Sequence, residues 1–254
     1  MTRVLFFGGN GHSAARLDGA QAALAALPAP PFELVSVPYP GFEGRPRASG
    51  FDGFLDATAS AVDALGSEST YVYATGVGGL LVVCLRARGA LRDVPALFQA
   101  PVLWGLERRW MPRLMRLGLA QVALRRAFGS PTFQRRFARR HFRVAPSPEV
   151  VSAFFAGYSS CAALPDFFEW LTPALLRSLE AHHAKDPELL RGVRFLWGAE
   201  DTVVPTREIA WTEEALGIRL DVTTVPGWGH YPMIDDPQGW VAEVTRVAAA
   251  PQLP

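Results

Sequence analysis

Cysteine and lysine are almost missing from this chain of 254 residues. It has two cysteines, Cys84 and Cys161, and Lys185 is the single lysine among its 25 basic residues. Neither cysteine has another cysteine or a histidine nearby at the spacing of metal ligands, so we predict two buried free thiols and no metal site. Thiols stay reduced in the interior of a cell, and this cysteine usage therefore favours a cytoplasmic protein.

Long apolar runs are also missing. The longest ones, such as Val4–Phe7 and Leu80–Leu85, fall far short of the roughly 20 residues that a membrane-spanning helix needs. A strand is predicted to begin by about Arg3, and no basic region, apolar region and cleavage site precede it, so we expect no secretory signal. The hydrophobic fraction of 49% is ample for a core, and the length suits a single α/β domain.

Acidic residues are almost missing from one segment. Residues 105–143 hold 11 arginines against Glu107 alone, a local charge of +10, so the rest of the chain carries −9 to reach the net charge of +1. Such a block is typical either of a surface that meets an anionic partner or of a solvated helical face. The sequence alone favours neither interpretation.

Strand and helix patterns alternate through the first 104 residues. Short apolar or β-branched runs that end in glycine or proline predict strands, and longer amphipathic runs predict helices. Their alternation predicts an α/β fold with a parallel sheet and crossover helices. The predicted strands are Val4–Phe7, Phe32–Val37, Thr70–Tyr73 and Ala96–Val102, and the predicted helices are Ala14–Leu27, Phe51–Leu65 and Gly78–Arg88.

The alternation stops at residue 105 and resumes near residue 191. Residues 105–190 show helical patterns and no convincing strand, with helix starts at Ser147–Glu149 and Thr172–Pro173. We therefore predict one domain, in which residues 1–104 and 191–254 form the α/β core and residues 105–190 form an inserted helical cap. In the second part of the core, strands are predicted at Val193–Trp197 and Leu220–Val225, and helices at Thr206–Leu216 and Pro237–Ala249.

The segment Tyr71–Leu81 predicts a strand, a tight turn and a helix. This is the shape of a nucleophile elbow, in which a serine normally stands at the apex of a G-x-S-x-G motif. Here the apex residue is Gly76, which tolerates a strained turn but carries no side chain. The nearest hydroxyl belongs to Thr75, one residue before the apex, so we expect it to point elsewhere.

A glycine-rich turn, Gly8–His12, follows the first predicted strand. Glycine lets a backbone approach a ligand closely, and free N–H groups in such a turn can hold an oxyanion. The spacing does not fit G-x-G-x-x-G, because His12, Ser13 and Ala14 follow the second glycine pair. We therefore expect no dinucleotide, and no other cofactor is predicted.

Two later loops carry an acid and a base. Asp201 comes just after the predicted strand Val193–Trp197, and His230 lies in the loop after Leu220–Val225. Because the carboxyl ends of parallel strands meet at one edge of a sheet, we expect these loops to converge with the elbow. A carboxylate on one imidazole nitrogen fixes the tautomer and raises the basicity of the other nitrogen. The pattern predicts a catalytic pair, His230 and Asp201, beside an apex without a nucleophile.

Together these motifs resemble the α/β-hydrolase fold family across nearly the whole chain. The resemblance implies that the backbone N–H groups of Asn10 and Val77 form an oxyanion hole, and that residues 105–190 are a cap over the pocket. The motifs that match are Val4–Asn10 for the oxyanion strand, Ala74–Gly79 for the elbow, Gly198–Asp201 for the acid turn and Gly229–His230 for the base.

The chain departs from the family pattern at three positions. Gly8 stands in place of the family's usual histidine, Ala74 in place of the first elbow glycine and Gly76 in place of the nucleophile. Without that nucleophile, an acyl-enzyme intermediate is not expected. The chain is also similar to the small stand-alone hydrolase- and thioesterase-like proteins of polyketide and peptide natural-product pathways.

Further side chains are candidates for the substrate pocket. His12 either lines the pocket or stabilises its own turn, while His141, His182 and His183 fall in the predicted cap, where solvated histidines are expected. Aromatic residues at helical spacing either line a pocket or belong to the ordinary core. The predicted pocket residues are Gly9, His12, Thr75, Trp104, Phe154, Phe155, Tyr158 and Trp228.

These predictions support three hypotheses about function. The first is an enzyme that uses His230, Asp201 and the oxyanion hole for cyclisation, elimination, isomerisation, decarboxylation or direct attack by water. Its substrate would be a small hydrophobic carbonyl compound or thioester, presented by an acyl carrier protein or coenzyme A to the Arg-rich cap, and no nucleic acid is expected. The alternatives are an inactive ligand- or partner-binding pseudohydrolase, and an esterase or thioesterase with an engineered Ser→Gly change.

Overall fold

The computed structural model describes residues 2–66, 70–104, 108–109, 114, 117–159 and 186–249. Its strands are β1 (Thr2–Phe7), β2 (Phe32–Ser36), β3 (Thr70–Gly76), β4 (Ala96–Pro101), β5 (Val193–Gly198) and β6 (Val222–Val225). They form one sheet in the order β2-β1-β3-β4-β5-β6, and every neighbouring pair is parallel. The predicted α/β fold is confirmed, and each of the six predicted strands is present within three residues of its predicted ends.

Helices connect the strands and cover both faces of the sheet. No helix in the described ranges is long and apolar enough to cross a membrane. The α-helices are α1 (Asp18–Ala25), α2 (Gly50–Leu65), α3 (Val77–Ala87), α4 (Gly118–Phe128), α5 (Pro131–His141), α6 (Pro148–Ser159), α7 (Arg207–Leu216), α8 (Pro232–Asp235) and α9 (Pro237–Ala249), and 3₁₀ turns span Ala14–Leu17 and Pro187–Leu190.

The helix predicted at Ala14–Leu27 begins instead as a 3₁₀ turn. The Ser13 hydroxyl accepts a hydrogen bond from the Ala15 N–H at 3.2 Å, and the Asp18 N–H bonds to the Ala15 carbonyl. These short-range bonds tighten the first turn, and the α-helix starts only at Asp18. Residues 14–17 are thereby held beside the glycine-rich loop.

The strand order changes direction between β1 and β3. The chain runs from β1 outward to β2 and then returns to the other side of β1 at β3, so the direction of winding reverses there. At such a reversal the loops after two neighbouring strands diverge and leave a crevice at the carboxyl ends. The Gly8–His12 loop follows β1 and the predicted elbow follows β3, so both border this crevice.

Two arginines hold the chain segments on either side of β5. Buried Arg86 of α3 donates to the carbonyls of Leu189 at 2.8 Å, Arg191 at 2.9 Å and Val94 at 2.5 Å, which anchors the chain as it enters β5. Arg109 donates through Nε to the buried Glu208 carboxylate at 2.8 Å. Burial raises the pKa of Glu208, and the arginine opposes that rise. The buried Arg86 and the buried Glu208 therefore each have polar partners, as buried charged groups require.

Helices α4, α5 and α6 fall within the predicted cap and pack through aromatic side chains. The cluster also reaches the loop after β6, because Tyr231 lies 5.1 Å from Phe142 and 4.9 Å from Phe154 between ring centroids. The division into core and cap stays a prediction, since residues 160–185 lie outside the described ranges, with Cys161 and the helix start at Thr172–Pro173 among them. Cys84 is a buried free thiol, as predicted.

Candidate active site

The predicted strand–turn–helix at Gly76 is confirmed. Strand β3 ends at Gly76 and helix α3 begins at Val77, with no residue between them. The backbone of Gly76 has φ 56° and ψ −126°, a left-handed conformation that L-residues rarely adopt. The Gly76 carbonyl accepts a hydrogen bond from the Val102 N–H at 2.8 Å, which ties the turn to the end of β4. The elbow is therefore built, although its apex carries no side chain.

Small residues allow the start of α3 to approach the sheet. A Cβ atom on Gly78 would overlap the carbonyl oxygen of Phe7 and lie 2.7 Å from its carbonyl carbon. A Cβ atom on Gly79 would lie 2.7 Å from Cβ of Pro101. Hence α3 begins in direct contact with the ends of β1 and β4.

Asp201 and His230 meet across two loops. Their hydrogen bond joins His230 Nδ1 to Asp201 Oδ2 at 2.8 Å, and both side chains are buried. The other carboxylate oxygen accepts the N–H groups of Val203 and Val204, each at 2.8 Å. Because the carboxylate accepts at Nδ1, that nitrogen carries the proton and Nε2 is left as the basic atom.

A glycine at the end of β5 makes this meeting possible. A Cβ atom on Gly198 would overlap the carbonyl oxygen of Trp228 and lie 2.5 Å from that of Gly229. The Glu200 N–H also bonds to the Trp228 carbonyl at 3.0 Å. The acid turn and the base loop are therefore in direct backbone contact. Trp228 itself is buried, and its backbone helps to place the pair.

The imidazole of His230 faces the empty apex. A Cβ atom built on Gly76 would lie 3.8 Å from His230 Nε2 and 4.0 Å from Cα of Gly9, and these are the nearest atoms among the described residues apart from its chain neighbours. The basic nitrogen is therefore aimed at the place where a nucleophile side chain would stand. This distance is the central observation about the site.

The glycine loop lies directly against the elbow. A Cβ atom on Gly9 would lie 3.3 Å from the Val77 nitrogen and 3.3 Å from the Thr75 carbonyl oxygen. Val77 is the first residue of α3, so its N–H has no acceptor within the helix and sits at the positive end of the helix dipole. The half-buried Asn10 follows in the same turn, as the predicted oxyanion hole requires. The role of both N–H groups stays a prediction.

A buried polar network fixes the backbone of His230, and its central residue is Gln99, which no sequence motif marks. The Gln99 amide donates from Nε2 to the His230 carbonyl at 3.3 Å, and its oxygen accepts from the hydroxyls of Tyr73 at 3.1 Å and Thr75 at 3.2 Å. Nothing in the sequence distinguishes this glutamine from a surface one, because its role depends on a contact with His230, which lies 131 positions further along the chain.

Two predicted pocket residues, Thr75 and His12, direct their side chains into the protein interior. As expected, Thr75 points away from the apex, and its hydroxyl is directed to Gln99 in the core, which removes it from the pocket. His12 is 1% exposed, its ring stacks on Tyr39 at 4.2 Å, and its Nε2 lies 2.9 Å from the Val37 carbonyl. The turn-stabilising interpretation of His12 therefore replaces the pocket interpretation.

Burial lowers the pKa of His12 from 6.5 to about 4, so its protonation opposes folding. The unfolded chain takes up this proton at a higher pH than the folded chain, and the free energy of unfolding is expected to fall as the pH drops from 6.5 towards 4. The total loss is on the order of 3 kcal/mol. Urea unfolding at pH 7, 6 and 5 measures it. A His12→Gln variant, which does not titrate, should show a shallower decline, and equal slopes would contradict the assignment.

The predicted aromatic pocket residues are all buried. Trp104 lies in the core just after β4, and Phe155 packs within the cap helices against Phe137 at 5.4 Å. Phe154 and Tyr158 face the loops after β6 and β1 instead, since Phe154 contacts Tyr231 and a Cβ atom on Gly11 would lie 2.7 Å from the Tyr158 ring. Phe154 and Tyr158 therefore adjoin the site, whereas Phe155 packs between helices α4, α5 and α6.

His141 lies closer to the site than the sequence indicated. A solvated histidine is expected there, but its Nδ1 lies 2.9 Å from the Thr202 hydroxyl, beside Asp201, and its ring centroid lies 4.4 Å from that of Phe137. Burial and the neighbouring Arg140 lower the pKa of His141. His182 and His183 lie outside the described residues. In the described ranges, no group of three or more His, Cys, Asp or Glu side chains is arranged to hold a metal ion.

Solved structures share this fold at low sequence identity. A loop variant of the haloalkane dehalogenase DbeA from Bradyrhizobium elkanii superposes with a TM-score of 0.72 and 21% identity, covering 98% of this chain and 89% of that one. The esterase RhEst1 from Rhodococcus sp. gives a TM-score of 0.63 and 21% identity, covering 98% of this chain and 90% of that one. Identities this low show the fold alone.

The sequence comparisons give a family assignment. None of the curated proteins matches the chain. A family model described as "Alpha/beta hydrolase family" matches residues 4–244, which include the elbow, the acid turn and the base loop. The structural neighbours include esterases, a lipase and dehalogenases, all with the same fold. The chain therefore belongs to the alpha/beta hydrolase family.

Proposed function

We propose that this protein is an enzyme in which His230, oriented by Asp201, transfers protons on a substrate carbonyl without a protein nucleophile. The observation that supports it is the 3.8 Å distance from His230 Nε2 to the position of a Cβ atom on Gly76. A base that is buried, held by a carboxylate and aimed at an empty apex can reach a substrate atom there directly. A positioned base of this kind accelerates a reaction by roughly 100- to 10,000-fold.

The proposed chemistry needs one proton acceptor and one site for negative charge. Neutral Nε2 takes a proton from the carbon next to the carbonyl, or from a water molecule that attacks it. The negative charge that develops on the carbonyl oxygen is stabilised by the N–H of Val77, at the start of α3, and by that of Asn10. The imidazolium is stabilised by Asp201 and returns its proton to the product. Cyclisation, elimination, isomerisation and hydrolysis by water follow this scheme. Decarboxylation uses its second half alone: the bond to the carboxylate breaks, CO₂ leaves, the enolate oxygen is stabilised in the same way, and protonated His230 gives a proton to the α-carbon.

We further propose a hydrophobic thioester or carbonyl substrate from natural-product biosynthesis, presented by an acyl carrier protein or by coenzyme A. Helix α5 supports this proposal because Arg135 and Arg139 border a groove of about 420 Å³ whose other walls include Ala138, Pro148 and Val151. An apolar groove between arginines is complementary to an acidic carrier or to the phosphates of coenzyme A.

Two substitutions test the proton-transfer proposal. His230→Ala and Asp201→Asn are expected to slow turnover by at least about 100-fold while leaving folding intact, because the first removes the base and the second disturbs its tautomer. Acyl thioesters of coenzyme A incubated in D₂O and followed by NMR would reveal exchange of the α-proton, elimination, ring closure or hydrolysis in one experiment.

A neighbouring histidine provides the matched control. His141→Gln removes an imidazole from the same region but not the proposed base, so turnover should stay within about threefold of wild type, roughly 0.7 kcal/mol. Unchanged turnover by His230→Ala would contradict the proposal. Binding of acyl thioesters without any turnover by the wild-type protein would instead favour a ligand-binding pseudohydrolase.

A further inference from the structure

Arg16 is a buried arginine next to the candidate active site. It belongs to the 3₁₀ turn Ala14–Leu17, directly after the glycine loop, and is 7% exposed. Its guanidinium carbon lies 4.0 Å from the ring centroid of Phe154 and 5.1 Å from that of Tyr158. Aromatic faces attract a cation, but they do not supply hydrogen-bond acceptors in the plane of the guanidinium.

Two nitrogens of this guanidinium have no hydrogen-bond partner. Nε and Nη2 of Arg16 are buried, and nothing in the described part of the chain accepts a bond from either. No carboxylate among the described residues forms an ion pair with Arg16, and the nearby Glu43 is engaged by Arg45 at 3.0 Å and by the Ala14 N–H at 2.7 Å. A buried charge without a counter-charge is strongly unfavourable, so a site for an anion is indicated.

The other arginine that is buried in the described part of the chain has more partners. Arg86 donates to three backbone carbonyls and leaves only Nε without a partner, and the half-buried Arg109 forms an ion pair with Glu208. Arg16 differs from both because two of its buried nitrogens have no acceptor. The missing partner of Arg16 therefore points to a ligand.

The unpaired atoms have the geometry of a carboxylate site. Nε–H and Nη2–H lie on the same edge of the planar guanidinium and point in the same direction, so together they form the fork that accepts both oxygens of a carboxylate. Either nitrogen alone would indicate only a single acceptor. That both are unpaired favours a bidentate anion.

The location of Arg16 connects this fork to the candidate base. Phe154, which stacks on the guanidinium, also contacts Tyr231, whose ring lies 4.7 Å from that of His230. Tyr158 packs on the other side against Gly11 of the glycine loop. Arg16 thus lies in the aromatic wall between the glycine loop and the base loop.

We propose that Arg16 binds a carboxylate of the substrate, in addition to the carbonyl that reacts at His230. That the bound carboxylate belongs to a substrate rests on the proposed function. The existence of a carboxylate site at Arg16 does not. It implies that the chain acts on hydrophobic acids that carry a second carbonyl group. The carboxylate would fix the orientation of the substrate, and Phe154 and Tyr158 would contact its apolar part.

The test compares an acid with its uncharged amide. Sodium octanoate is expected to bind the wild-type protein in isothermal titration calorimetry and to raise its Tm, whereas octanamide binds at least 10-fold more weakly. Arg16→Met should weaken octanoate binding at least 10-fold and leave the binding of octanamide unchanged. Arg16→Lys keeps the charge but lacks the fork, so its affinity for octanoate should fall between the two.

Two controls make the result decisive. Octanoate should bind His230→Ala as it binds wild type, which separates this inference from the proposed reaction. If Arg16→Met does not fold, Arg16→Lys replaces it in the test. A smaller ratio of octanoate affinity to octanamide affinity than in wild type supports the proposal, and an unchanged ratio overturns it. Equal binding of acid and amide by the wild type, no binding of octanoate, or unchanged binding by Arg16→Met would overturn the proposal. A Tm increase with inorganic phosphate as large as that with octanoate would overturn the assignment to a carboxylate.

Discussion

Gly76→Ser is expected to give this protein a serine-hydrolase activity that the wild type lacks. The variant should react with a fluorophosphonate probe and hydrolyse p-nitrophenyl acetate at least about 100-fold faster than wild type, because a hydroxyl beside a positioned base becomes a nucleophile. Wild type should show neither labelling nor a burst of nitrophenol. The expected change is large because one hydroxymethyl group supplies the nucleophile that His230 and Asp201 lack.

The geometry supports this result. The Cβ atom of a residue at position 76 would lie 3.8 Å from His230 Nε2, so an oxygen one bond further can reach hydrogen-bond distance, about 2.6–3.2 Å. Nothing described in the structure lies closer to that Cβ atom. The sparsely populated backbone conformation of Gly76 costs an L-residue about 1–3 kcal/mol, which lowers stability without preventing folding.

Two variants isolate the cause of any new activity. Gly76→Ala has the same backbone strain as Gly76→Ser but no hydroxyl, so it should be stable to the same degree and inactive towards the probe. The double variant Gly76→Ser with His230→Ala keeps the hydroxyl but loses the base, and labelling should disappear. A folded Gly76→Ser protein that resists the probe would show that His230 is not aligned with the apex.

Local sequence signals were sufficient to predict the strands and the elbow. Every strand is a short apolar or β-branched run that ends at, or within two residues of, a glycine or proline, and the alternation with helices specifies a parallel sheet. The dyad was predictable for a related reason. Asp201 and His230 each follow a strand, and parallel strands deliver their following loops to one edge of the sheet.

Contacts between distant residues were not predictable from sequence. Gln99 acts through the carbonyl of His230, 131 positions away, and no periodicity or motif marks it. Arg16 resembles an ordinary polar residue of a helix start, and only the burial of its turn beneath Phe154 and Tyr158 reveals an unpaired charge. His12 and Thr75 were assigned to the pocket from their place beside the motifs. Their side chains instead turn into the core, because each finds a polar partner there.

Gly78→Ala is expected to destabilise the protein severely. The added methyl group would overlap the carbonyl oxygen of Phe7 and lie 2.9 Å from that of Gly8, and all of these atoms belong to the backbone of β1 and its loop. Backbone cannot rotate aside as a flexible side chain can, so α3 must move away from the sheet. We expect a loss of about 3 kcal/mol or more in the free energy of unfolding, which is a decrease of roughly 6–12 °C in Tm.

A second helical glycine provides the control for this substitution. Gly53 lies inside α2, and the nearest atom to an added Cβ is Cβ of Ala48 at 3.9 Å. Gly53→Ala should therefore raise stability by roughly 0.5–1 kcal/mol, since alanine favours a helix more than glycine does. Thermal unfolding of both variants separates helix propensity from close packing, and similar Tm values for the two would contradict the structure.

Gly78→Ala also tests whether the close approach of α3 to β1 has a function. Moving the start of α3 away from Phe7 also moves the Val77 N–H away from Gly9, because that pair depends on the same contact. In the Gly76→Ser background, Gly78→Ala should therefore abolish labelling by the fluorophosphonate probe even at temperatures where circular dichroism shows a folded protein. Gly53→Ala in that background should label normally. Persistent labelling of the Gly78→Ala protein would mean that the oxyanion site does not require this packing, and the proposed role of the Val77 N–H would then be wrong.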